Sequence, residues 1–359
     1  MNERSVQSNR RCIKIAIVAA LGGLASCFLA ACGRDSAKAN AAPENRLVLY
    51  VSADDALFRP IVRLFEEQTG ARILIVGDTE ATKTFGLVRR LMDEKESPKA
   101  DVFWASEPIG VIRLGQSGVL RPIPASIDPS QPLWLPLAYR ARVIAYHTGR
   151  FENETPPRRL GDLLKPEFMG KIGLARPQFG TTRTHMAALL TQFGETEYEA
   201  FVRALKANGA RLYDGNSMVV QAIAQGEISA GLTDSDDVAA GKAEKWPVDF
   251  RGGTAELDAS APSQGEGAIL MMPQVAALVA HPSKDSDASR EALAQDFVRF
   301  LLADPVQRLF VSSGAALKGG WPAPSELQTA GHESLPDFAK VAASETRAVE
   351  IFERVWAEP

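Results

Sequence analysis

RLVLYVSADDALFRPIVRLFEEQTG, residues 46–70, is the stretch whose reading decides the fold. Arg46 to Val51 is aliphatic, aromatic and β-branched, the composition of a strand. Leu57, Phe58, Ile61, Val62, Leu64 and Phe65 then recur at helical spacing, and Gly70 ends an amphipathic helix. The unit repeats. Arg72 to Val76 reads as a strand, Thr82 to Lys95 as a helix with Phe85, Val88, Leu91 and Met92 on one face, and Asp101 to Ala105 as a third strand. βα units at this spacing favour a parallel sheet covered by helices.

Outward from this core, the rhythm breaks at the Pro- and polar-rich stretch Arg121 to Pro136. It resumes with strands at Ala141 to His147 and Lys171 to Ala175, then helical patterns at Thr182 to Phe193 and Glu197 to Asn208. A second break, Pro247 to Glu266, precedes the apolar run Ala268 to Ala280, and helix Arg290 to Leu302 continues into Pro305 to Phe310. The alternation predicts an α/β chain that crosses more than once between two lobes with a cleft between them. The first lobe is expected at 46–135, completed by about 267–318, and the second at 136–266, completed by about 319–359.

The other end of the chain points outside the cytoplasm. Arg10, Arg11 and Lys14 precede an apolar run from Ile15 to Leu29, and Leu29-Ala30-Ala31-Cys32 has the small residues of a lipoprotein processing site. Residues 1–32 therefore read as a lipoprotein signal with Cys32 as the lipidation site, and 33–45 as a flexible tether. The competing reading, an uncleaved span, is disfavoured because the run is Gly- and Ala-rich and barely reaches the roughly 20 residues a crossing needs. Asn9-Arg10-Arg11-Cys12-Ile13-Lys14 also resembles a twin-arginine export motif, which implies folding before export.

Cys12, Cys27 and Cys32 all lie in this segment, so core burial rather than disulfides must stabilise the processed chain. About 330 remaining residues exceed what one hydrophobic core usually serves. A net charge of -4 offers no basic stripe for nucleic acid. The sequence has no H-E-x-x-H, no G-x-S-x-G and no Walker-type loop.

Longer motifs carry a resemblance. Phe65-Glu66-Glu67-Gln68-Thr69-Gly70, Ala100-Asp101-Val102-Phe103-Trp104, Gly118-Val119-Leu120, Leu160-Gly161-Asp162-Leu163-Leu164 and Met169-Gly170-Lys171-Ile172-Gly173 occur in order. Leu205-Lys206-Ala207-Asn208-Gly209, Tyr213, Asn216-Ser217, Ala224-Gln225-Gly226-Glu227 and Gly231-Leu232 follow. Together they resemble the periplasmic solute-binding proteins of ABC transporters, in the ferric-iron-binding branch, over essentially the whole processed chain. The resemblance implies the two-lobe type II binding-protein fold, a monomeric carrier without catalysis, and an ABC permease and ATPase as partners. It also implies bound Fe3+ with a synergistic anion as transported ligand, while the signal and Cys32 imply a periplasmic or cell-envelope location with lipid anchorage to a membrane.

Two adjacent tyrosines that bind iron in such relatives are replaced here by Asp236 and Asp237, within Thr233-Asp234-Ser235-Asp236-Asp237. The family's early histidine ligand aligns near Asp54. Asp54, Glu107, Asp236 and Asp237 are thus the candidate metal ligands, hard oxygen donors suited to ferric, calcium, magnesium or manganese ions. Crowded carboxylates repel one another, and a cation relieves that cost. Simpler roles exist for the same residues: Asp54 as a helix cap, Glu107 as a favourable charge at a helix start, Asp236 and Asp237 as the solvated first turn of a helix at Ser235 to Lys242.

A second group suits an anion. Glu80 and Thr84 open the second helix, beside ordinary capping threonines; Thr181, Thr182 and Arg183 open another, and Asn216, Ser217 and Asp234 complete the candidate ligand-binding set. Competing readings of the cargo are a phosphorylated or phosphonate solute, or a cationic organic one such as a polyamine or thiamine held by the acids with Trp104. A metal-dependent periplasmic hydrolase is a further alternative, with no histidine cluster to support it.

Overall fold

The computed structural model describes residues 45–77, 84–178, 180–252, 254, 269–282, 287–314, 316, 333–334 and 336–359. The signal, nearly all of the tether, and Glu80 lie outside the described residues.

Strand β1 (Arg46–Val51) lies between β2 (Arg72–Gly77) and β3 (Val102–Ala105), parallel to both. Helix α1 (Asp55–Thr69) makes the first crossover, burying Leu57, Phe58, Ile61, Val62 and Phe65. Gly70, at φ 66°, closes it by donating its N–H to the Glu66 carbonyl, a left-handed stop that a side chain would strain. Helices α2 (Phe85–Asp93) and α3 (Pro108–Gln116) follow β2 and β3, and short β4 (Leu120–Arg121) ends this unit.

The long strand β5 (Leu135–His147) then changes partners along its length. Its first half is antiparallel to β10 (Ile269–Val279), which in turn pairs antiparallel with β3. Its second half is antiparallel to β8 (Ala230–Asp234) and β9 (Val248–Arg251). Strand β6 (Ile172–Ala175) runs parallel to β8 and carries β7 (Arg211–Tyr213) at the edge. The strand order is β2-β1-β3-β10-β5-β8-β6-β7. Helices α4 (Gly180–Ala207), α5 (Asn216–Ala224), α6 (Ser235–Ala243), α7 (Ala288–Leu301) and α8 (Asp304–Ser312), short β11 (Glu333–Ser334) and α9 (Phe338–Ala357) complete the described α-helices and strands.

Hydrophobic burial shows why this α/β fold has two lobes. Side chains of β1 to β3, α1, α2, α7 and α8 form one set of clusters with the early residues of β5 and the late residues of β10. Residues of β6, β8, α4, α5 and α9 form another with the opposite halves of β5 and β10. Helix α3 shares itself between them: Val111 and Leu114 serve the first set, Ile109 and Ile112 the second.

The long strand β5 is the part that the sequence reading shortened, whereas β10 falls within the expected run Ala268 to Ala280. β5 begins inside the Pro-rich stretch, and β9 lies in the second expected loop, because an edge strand with half-exposed Asp249, Phe250 and Arg251 shows no apolar run. Pro273 sits inside β10, next to a shift of register between Gln274 and Val275, the irregularity that accommodates a residue without an N–H. Helix α4 is two helical segments joined at Gly194, whose φ of 83° and ψ of 172° separate the two periodic patterns.

Gly231 of β8 faces Gly173 of β6 in register. A Cβ at Gly231 would stand 2.7 Å from the Gly173 carbonyl oxygen and 2.6 Å from Val219 Cγ1. Gly231→Ala should therefore destabilise the chain by about 1–3 kcal/mol, the usual cost of overpacking a filled core. An unchanged denaturant midpoint would contradict that packing.

Candidate functional site

The C-terminal ends of β1, β3, β6, β7 and β8 surround a cavity of about 360 Å³, in the crevice where open α/β sheets place ligands. Ser52 and Asp54 follow β1, Ser106 follows β3, and Arg176 follows β6. Thr181 and Thr182 come from the first turn of α4, Asn216 from the start of α5, and Asp234 from the end of β8. Arg140 and Gln274 reach the same cavity from the two long strands. Helix starts bring free backbone N–H groups with them.

The charge in this wall is organised by two arginines. Arg142, fully buried, donates from Nη1 to Asp234 Oδ1 at 2.8 Å, Asn216 Oδ1 at 3.2 Å and Thr181 Oγ1 at 3.3 Å, and from Nη2 to Thr182 Oγ1 at 3.4 Å. Its Nε donates to His185 Nδ1 at 3.4 Å. With Nδ1 accepting, His185 presents Nε2–H to the Thr254 carbonyl at 2.8 Å. Burial, with Arg142 adding to it, pushes the His185 pKa down to about 3, so the ring stays neutral. Arg140 donates from Nη1 to Asp236 Oδ2 at 2.6 Å and from Nη2 to the Ser106 carbonyl at 2.9 Å.

These partners decide the carboxylates. Burial acts to raise Asp234, but Arg142, Arg140 and the Thr181 hydroxyl outweigh it and hold this acid below the ordinary range. Asp236 goes the other way: burial and the neighbouring Asp234 lift it despite Arg140. One oxygen from each of Asp234, Asp236 and Asp237 lies within 4.8 Å of the others. Asp237 lines the cavity and its Oδ2 accepts from Thr233 Oγ1 at 3.4 Å. Asp54 lines it from the other side as an exposed residue preceding α1.

Residues 47–315 match the family described as bacterial extracellular solute-binding protein. The chain belongs to that family. This solute-binding protein is 26% identical over 230 residues to the Fe(3+)-binding periplasmic protein of Serratia marcescens, a match covering 61% of this chain and 64% of that relative, less than two thirds of its length. Its fold is similar to that of iron-bound HitA from Pseudomonas aeruginosa, with a TM-score of 0.70 and 24% identity over 86% of this chain and 99% of that one. It is also similar to the periplasmic binding protein AfuA from Actinobacillus pleuropneumoniae, whose structure holds fructose-6-phosphate, with a TM-score of 0.66 and 19% identity over 86% of this chain and 97% of that one.

The binding protein brings Asp54, Thr181, Thr182, Asn216, Asp234 and Asp237 to one cavity, with Asp236 behind Arg140. Other expected ligands lie elsewhere. Glu107 caps α3, its carboxylate accepting from Ile109 N at 2.6 Å and Gly110 N at 3.2 Å. It faces a separate small cavity with Thr84, Arg183 and Glu345. Arg183 is held there by the Glu345 carboxylate and by the Gln178 carbonyl at 2.9 Å. Thr84 is buried one layer back, donating to Ser52 Oγ at 2.9 Å. Ser217 is exposed on α5 and does not line the cavity, and Trp104 is fully buried against Phe310.

Sequence reasoning missed Arg140 and Arg142. The signal was there: two arginines at alternate positions share one face of a strand that is otherwise apolar. Charges on such a face need partners, and those partners mark the site.

Glu107 gives the pH response of this region. Burial and the nearby Glu345 push its pKa from 4.5 to about 7, against the two α3 amides. The fold thus favours the neutral acid: its contribution to stability is full below about pH 4.5 and is lost as pH rises through about 7. Glu107→Gln should flatten the decline in unfolding midpoint between about pH 5 and pH 8 relative to wild type. Parallel profiles for the two proteins would contradict the assignment.

Proposed function

We propose that the chain is the substrate-binding component of an ABC importer, capturing ferric iron in the cleft between its lobes and presenting it to a permease and ATPase. The reading places it at the cell envelope, anchored through Cys32. It assigns residues 46–135 with 267–318 to the first lobe and residues 136–266 with 319–359 to the second.

The observation that carries the reading is the cavity's charge. Asp54, Asp214, Asp234, Asp236 and Asp237 meet Arg140, Arg142 and Arg176 at or directly behind its wall, an excess of carboxylates over guanidiniums. A hard cation suits that excess. In the proposal Asp54, Asp236 and Asp237 supply oxygen ligands, while Thr181, Thr182, Asn216 and Asp234 form the neighbouring hydrogen-bonding wall. Arg140 holds Asp236 through the charge it places beside it, and incoming cargo competes with that guanidinium. Contacts drawn from both lobes exist only when they approach, so cargo shifts the hinge equilibrium toward closure by its differential affinity.

Family membership and the likeness to ferric-binding relatives support this class of cargo. The test is thermal unfolding of the full-length chain in detergent micelles with ferric citrate, citrate alone, or fructose-6-phosphate. Cargo at about 100 times its Kd should stabilise the fold by about 2.7 kcal/mol. Ferric citrate should raise the midpoint where citrate alone does not, and the double substitution Asp236→Asn with Asp237→Asn should abolish the difference. A shift with the sugar phosphate and none with ferric citrate would overturn the metal reading.

A further inference from the structure

Asp234 is 2% exposed, yet it stands in the densest group of hydrogen-bond donors in the cavity wall. Its Oδ1 accepts from Arg142 Nη1 at 2.8 Å. Its Oδ2 accepts from Asn216 Nδ2 at 3.0 Å and from the Thr181 hydroxyl, with Arg140 Nε 3.8 Å away. Thr181 and Asn216 belong to the first turns of α4 and α5, where hydroxyls, amides and free N–H groups collect anions. The side-chain donors aimed into this corner therefore end on a carboxylate that the chain itself supplies.

We propose that Asp234 is the built-in anion of the site: its carboxylate occupies the donors around Arg142, so that the cleft excludes free phosphate, carbonate and other small oxyanions and takes its cargo without one. The proposal deepens the cargo reading, resting on the same cleft being the cargo site. It makes Asp234 a specificity-determining residue rather than a metal ligand.

Three features lead to this assignment. Arg142 has no exposed surface, so an outside anion cannot reach it while Asp234 is in place. Each nitrogen of Arg142 also faces a protein acceptor: Nε meets His185, Nη1 meets Thr181 and Asn216 besides Asp234, and Nη2 meets Thr182. A second anion would also meet Asp236 and Asp237, whose carboxylate oxygens come within 4.8 Å of Asp234, and crowded like charges in a desolvated site repel.

The substitution Asp234→Ala empties a carboxylate-sized space and leaves a buried guanidinium without its counter-charge, a strongly destabilising state. Formate and acetate fit that space and restore the charge. The experiment compares the full-length chain and its Asp234→Ala variant in detergent micelles, free of metal, by thermal unfolding in formate, acetate or phosphate against chloride at equal ionic strength. Wild type should respond to none of the oxyanions beyond chloride. The variant should start from a lowered midpoint, or unfolded, and regain most of the loss saturably with formate and acetate. The double variant Asp234→Ala with Arg142→Met should lose that rescue, showing that the guanidinium is what the added anion meets.

Equilibrium dialysis of wild type with labelled phosphate decides the matter even if the variants fail to fold. Less than a tenth of a phosphate per chain at millimolar phosphate supports the built-in anion, and one phosphate per chain overturns it. Indifference of a folded Asp234→Ala variant to formate and acetate overturns it too. No arm uses iron, so failure to bind ferric citrate would strike the cargo reading and leave the exclusion of anions standing.

Discussion

A buried guanidinium must be paired wherever the chain puts it, and Arg142 puts one at the junction of the two lobes. Removing a charge from water costs several kcal/mol, which is offset only by close, well-directed partners. Asp234, Thr181, Thr182, Asn216 and His185 are those partners, drawn from β8, α4 and α5. Satisfying Arg142 thus fixes the end of β8 against the starts of two helices. Arg142 also helps Arg140 and Thr181 to hold Asp234 below the ordinary carboxylate range, and it adds to the burial that keeps His185 neutral.

Arg140, two residues earlier on the same strand, extends this arrangement across the cleft. It donates to Asp236 beyond β8 and to the Ser106 carbonyl beyond β3. Its charge is favoured despite burial, because Asp236 and Asp234 outweigh the loss of water. Gln274 on β10 lines the same cavity and accepts from the Trp104 indole N–H at 3.2 Å. Both strands that continue from one lobe into the other thus contribute a polar side chain to the cavity.

Much of the scaffold was legible because it obeys period rules. The apolar spacing in α1, the Gly70 stop and the strands at Arg46, Arg72 and Val102 follow from burial on one face. Asp54, Thr181 and Asn216, expected at the site from the resemblance and from their places at helix starts, line the cavity. The resemblance to solute-binding proteins supplied the two-lobe arrangement of these segments, which no local pattern specifies. What escaped was non-local. Nothing adjacent to Glu107 in sequence shows that its carboxylate turns to the α3 amides, or that Glu345, over two hundred residues later, raises its pKa. The acids at Asp234 and Asp236 were read as unneutralised because their counter-charges come from β5, more than ninety positions away.

In the proposed function carboxylates, not phenolates, hold a hard cation in this cleft, with the arginines setting how many acids remain for it. No tyrosine is among the described residues lining the cavity. The most direct measurement is to load the chain from ferric nitrilotriacetate, remove unbound metal by gel filtration, and record iron content with the visible spectrum. One retained iron per chain and no phenolate-to-iron charge-transfer band are expected. Failure to retain iron, or a phenolate band in the loaded protein, would contradict that reading.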